Sequence, residues 1–91
     1  MDVERAARNT LANLGETNPI RDPDGVSLEH AHWMLNGIIT GYIQYEKAHR
    51  WLGYAQAIVV RHGKVSLNET KRINKRSTDA QQKGMDDESR N

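Results

Sequence analysis

The sequence contains no cysteine and no phenylalanine, and only two prolines among its 91 residues. Without cysteine there is no disulfide, no thiolate metal site and no cysteine nucleophile, which suits a reducing cytosol. No apolar run approaches the roughly 18 residues that a membrane-spanning helix needs. The opening Met1-Asp2-Val3-Glu4 lacks the basic-then-apolar pattern of a secretory signal. A cytoplasmic protein of one small domain is therefore expected, with a thin margin of stability. Glycines 25, 37, 41, 53 and 63 are scattered, so there is no glycine-rich phosphate loop. No kinase, hydrolase or dinucleotide fingerprint is present. The expectation is a protein that is not an enzyme and carries no cofactor.

With phenylalanine absent, the core falls to Leu, Ile, Val and Ala, plus Trp33, Tyr42, Tyr45, Trp51 and Tyr54. All five aromatics lie between residues 33 and 54, which places the centre of the fold there. The net charge is +1 at pH 7 but is unevenly spread. Residues 61–76 carry six Lys or Arg against Glu69 alone, while residues 77–91 are slightly acidic. A local basic block matters more than the total when polyanions are considered.

Apolar spacing and capping residues predict an all-α fold of four helices. The first runs from about Val3 to Leu14, capped by Asp2 and stopped by Gly15. Its apolar stripe is weak, so it must dock to be stable. Residues 16–26, with Asn18-Pro19 and Asp22-Pro23-Asp24-Gly25, read as a loop. The second helix starts at the N-cap Ser27 and ends near Thr40-Gly41. The third runs from about Gln44 to His62, with Gly63 as its stop. The short link between them predicts an antiparallel hairpin. Ser66 and Glu69 have the spacing of a capping box opening a fourth helix that reaches about Lys75. The domain is thus expected to span 1–76, with 77–91 a disordered polar tail.

Two Glu-x-x-His pairs, Glu29/His32 and Glu46/His49, have the i, i+3 spacing of helical di-iron ligands. The hairpin helices supply no further carboxylates for such a site. In the hairpin the two pairs are also offset along the axis by roughly 6 Å. No metal is expected. Lys71, Arg72, Lys75 and Arg76 cover one side of helix four and could lie on phosphates, with few base-reading side chains beyond Asn68 and Asn74. Lys47, Arg50 and Trp51 make a cation–aromatic cluster, a combination enriched at interface hot spots. Helices two and three each carry a second apolar face beyond the one the hairpin uses. The weak first helix and the short polar fourth leave that surface to a partner, so a homo-oligomer is expected.

The pattern His30-x-x-Trp33-Met34, followed by Lys47-x-x-Arg50-Trp51-x-Gly53-x-x-Gln56, resembles small uncharacterised proteins of tailed bacteriophages and prophages. The match covers about half the chain, and Arg50-Trp51-Leu52-Gly53 is its most specific part. The resemblance implies a phage accessory product acting in the host cytoplasm, and it brings no chemistry with it. By analogy of context, such small helical proteins often counter host defence by blocking a protein or sequestering a nucleotide signal. Together these readings give a homo-oligomeric binding protein whose site residues are Trp33, Arg50, Trp51 and Tyr54. Its target is a host protein or a small nucleotide, with no membrane involved. The alternative is a nucleic-acid-binding regulator that uses Lys71, Arg72, Lys75 and Arg76.

Overall fold

The computed structural model describes the backbone of residues 1–89 and the side chains of residues 1–79. These residues form four helices and no strand: α1 (Val3–Leu11), α2 (Leu28–Ile39), α3 (Tyr45–Arg61) and α4 (Leu67–Ser89). The hairpin is present, and α2 against α3 is the most extensive helix pair. Helices α1 and α3 lie between α2 and α4, which do not meet.

Local chemistry sets the helix starts. Asp2 Oδ1 accepts from the Arg5 N–H at 3.0 Å, Ser27 Oγ from His30 N–H at 3.1 Å, and Ser66 Oγ from Glu69 N–H at 3.0 Å. The return half of the expected capping box is missing. The Glu69 carboxylate turns instead to Arg72 and Arg76, because a charged partner offers a stronger hydrogen bond than a backbone amide. Helix α3 has no side-chain cap, and its first residue, Tyr45, sits at φ 57°. The stops at Gly41 and Gly63, at φ 79° and 72°, use a left-handed geometry that other residues adopt only with strain.

Two boundaries differ from the sequence reading. Helix α1 ends at Leu11, three residues early, because Asn13 and Leu14 donate to Thr10 and Leu11 in tight turns. Leu14 is buried all the same. Helix α4 does not stop near Lys75. It runs through Ser77, which is fully buried, with its hydroxyl on the Ile73 carbonyl at 2.9 Å. The Asp2 N–H also reaches the Ser77 carbonyl at 3.4 Å. Composition alone suggests a tail here, but one apolar residue and one small one suffice to dock a helix against the start of α1. The rest of the expected disordered tail, the side chains from 80 and all of 90–91, lies outside the described residues.

Helix α1 docks through Ala6, Ala7 and Thr10, all fully buried. Small side chains let it approach the inner faces of α2 and α3, where Leu35, Leu52, Ala55 and Val59 are sealed. Each of the larger ones contributes about 1.5–3 kcal/mol by burial. No buried side-chain polar atom among the described residues lacks a partner. The hairpin's inner face is therefore closed by α1. The opposite side, carrying Trp33 and Trp51, is only half-buried.

Candidate functional site

Trp33 projects from α2 and Trp51 from α3. Their ring centroids are 5.3 Å apart and the planes are tilted by 37°, within the range where aromatic pairs attract. Gly37 of α2 lies against Trp51 and Ile43. A Cβ there would stand 3.2 Å from Ile43 Cγ1 and 3.4 Å from Trp51 Cζ3, so glycine makes room for both the hairpin turn and the indole. The stack extends at both ends. His30 lies against Trp33 at 5.4 Å, and Lys47 Nζ sits 5.5 Å from the Trp51 ring centroid. The Arg21 guanidinium is 5.8 Å over Trp33, a cation–aromatic contact from the loop.

The loop at 16–26 is held down by hydrogen bonds at several points. The Ile20 N–H donates to the Glu29 carbonyl at 3.2 Å, and the Asp22 N–H to His30 Nδ1 at 3.1 Å. Thr17 Oγ1 pairs with His32 Nδ1 at 2.8 Å, and His62 Nε2 meets the Val26 carbonyl at 3.0 Å. Tyr54 OH donates to the Gly25 carbonyl at 2.7 Å. Within the loop, the Asp24 N–H on the Asp22 carboxylate is the chief reason that acid sits below its ordinary range. Anchored this way, the loop brings Pro19 alongside the tryptophans. A groove of about 280 Å³ results, lined by Pro19, Trp33, Asn36, Thr40, Tyr42 and Trp51.

The structure thus joins two of the sequence-predicted residues, Trp33 and Trp51, with the expected Lys47 beside them. Arg50, one step round α3, is exposed and makes no ion pair among the described residues. Tyr54 anchors the loop and borders a different groove, of about 430 Å³, with Val26, Ile58 and His62. Sequence reasoning missed Pro19, Arg21 and His30 as neighbours of the tryptophans. His30 could have been found from its i, i+3 spacing to Trp33 on α2, whereas nothing local marks Pro19 and Arg21, whose contact depends on how the loop is tied. The Glu-x-x-His pairs stay apart: His32 is engaged by Thr17 and His49 is exposed. No group of three or more His, Asp or Glu gathers among the described residues.

On α4, Glu69 binds Arg72 at 2.8 Å and Arg76 at 2.9 Å. Lys71 and Lys75 are exposed without an ion pair among the described residues. Asn74, considered above as a base reader, is occupied. Its amide exchanges hydrogen bonds with Gln56 on α3, at 2.8 and 3.1 Å. No helix among the described residues is long and apolar enough to cross a membrane. No protein-family model, curated protein or solved structure matches the chain.

Proposed function

We propose that this chain is a non-enzymatic binding protein of the phage accessory kind, which captures a host protein on the Trp33–Trp51 face. The observation that carries this is the tryptophan pair opening onto a groove of about 280 Å³. That volume suits one or two inserted side chains and lies at the lower edge of the range for small-molecule sites. A nucleobase would need an open ring face for stacking, whereas His30, Lys47 and Arg21 already lie against the indoles. This favours a protein over the nucleotide signal. Tyr42, 85% exposed and lining the same groove, extends the aromatic surface toward the hairpin tip. Arg21, Lys47 and Arg50 favour an acidic rim on the partner.

Thr40→Arg tests the reading, because it fills the groove from an exposed position and leaves both tryptophans in place. The wild-type chain should retain a stoichiometric partner from host extract that Thr40→Arg and Trp51→Ala both lose. Equal retention by all three proteins would overturn it. A second reading, nucleic-acid binding through α4, keeps support from Lys71 and Lys75. It predicts duplex binding that falls steeply with salt, and a mobility shift absent at low salt would remove it.

A further inference from the structure

Helix α4 packs chiefly on α1 and meets α3 along a lesser seam. Beside that seam, an open groove of about 580 Å³ runs between α3 and α4. Gly53, Ala57 and Val60 of α3 and Leu67 of α4 make its apolar wall. Arg61 and Lys71 also line it, and no acid does. Gly53 lies two positions on from Trp51, about 200° round α3, so this groove is separate from the tryptophan face.

The apolar wall is uncovered. Leu67 is 58% exposed, and nothing lies within 4 Å of where a Gly53 Cβ would be. A glycine inside a helix weakens it, and here no neighbour within the chain requires the missing side chain. Gly53 and Ala57 stand one turn apart and leave the α3 backbone open to close approach. From Gly53 to Arg61 the wall runs about 12 Å, the span over which a docked helix sets its i, i+4 and i+7 anchors. The amides of Gln56 and Asn74, which also line the groove, satisfy each other. Arg61 and Lys71, one on each helix, are exposed and form no ion pair among the described residues.

We infer that the α3–α4 groove is a second docking site, which takes a short acidic amphipathic helix of a partner protein. The helix lays its apolar side on Gly53, Ala57, Val60 and Leu67 and sets carboxylates against Arg61 and Lys71. Charge selects the acid. Both charged residues that line the groove are cations, so a basic helix is repelled. The apolar wall selects a helix over a nucleic acid. Phosphates gain nothing from it, and no aromatic ring lines it on which a base could stack. The ion pairs form at an exposed surface, so their share weakens as salt rises, while the apolar share persists. This docking is independent of the tryptophan groove.

The probe is a capped synthetic helix with Leu at i, i+4 and i+7 and Glu beside them, fluorescently labelled and titrated by anisotropy. The wild type should bind it saturably. Exchanging its Glu for Lys, or its Leu for Ala, should each weaken binding about tenfold or more. Arg61→Glu with Lys71→Glu should lose the Glu peptide by a similar factor and gain the Lys peptide, a reversal that a misfolded chain cannot give. Gly53→Leu fills the groove from a position with open space, and should abolish binding while circular dichroism stays helical. Thr40→Arg, which blocks only the tryptophan groove, should leave the peptide's affinity unchanged. No saturable binding, equal affinity for the Leu and Ala peptides, full binding by Gly53→Leu, loss with Thr40→Arg, or displacement of the peptide by an equimolar DNA duplex would each overturn the inference.

Discussion

Gln56 and Asn74 face each other across the seam between α3 and α4 and exchange both amide hydrogen bonds, at 2.8 and 3.1 Å. The same Gln56 nitrogen reaches Thr10 Oγ1 on α1 at 3.2 Å, so one buried amide ties three helices. Gln56→Leu leaves the Asn74 amide without its partner and should cost about 1–3 kcal/mol. Adding Asn74→Leu should recover part of that loss, because removing both polar groups removes the unmet demand. Urea denaturation of the two singles and the double checks this. Strictly additive losses would refute the reading.

Tyr54 is about half exposed, yet it fastens the loop to α3 through its hydroxyl on the Gly25 carbonyl. Tyr54→Phe should cost about 0.5–1.5 kcal/mol, felt locally. Amide exchange should quicken at Ile20 and Asp22, whose N–H groups hold the loop to α2, while the amides of the α2–α3 core stay protected. Uniform acceleration across the chain would show that the loop and the core open as one unit.

Tyr45 opens α3 at φ 57° with its side chain 84% exposed. A left-handed L-residue costs roughly 1–2 kcal/mol, and little packing is at stake here. Tyr45→Gly should therefore stabilise the fold by about 1 kcal/mol net of the added chain freedom, seen as a raised Tm. Tyr45→Val, β-branched at the same φ, should lower it.

The Glu69 carboxyl is held below its ordinary value of 4.5, first by the hydrogen bond from Arg72, then by that residue's charge and by Arg76. Because the folded value is the lower one, the ion pairs contribute above pH 4.5. That contribution is lost as pH falls through the depressed folded value. Glu69→Gln should thus lower Tm at neutral pH, with the difference closing on acidification. It should also free Arg72 and Arg76 and strengthen low-salt binding to heparin. A Tm difference that does not change with pH would show that the carboxylate's charge plays no part.

Much of this fold is legible in the chain itself, for a local reason. Asp2, Ser27 and Ser66 cap α1, α2 and α4 within three residues, and Gly41 and Gly63 end α2 and α3, so these starts and stops need no tertiary context. The short link at Thr40–Gln44 then forces a hairpin. The end of α4 was not legible, because residues beyond Arg76 are polar, and only the placement of α1 shows that Ile73 and Ser77 have a surface to dock on. Asn74 looked free for a base until the fold set it opposite Gln56. In the candidate site, Trp33 and Trp51 stood out by residue type and by their place on the hairpin. His30 joins them by its i, i+3 place on α2, but Pro19 and Arg21 do so only because the loop is tied to α2 and α3 by bonds spanning eight to thirty-six positions. Capping, helix period and turn chemistry are properties of neighbours in sequence, and the sequence determined them. Which face of the hairpin α1 covers, and hence which face is left open around the tryptophans, depends on packing between distant segments, and only the tertiary structure decided it.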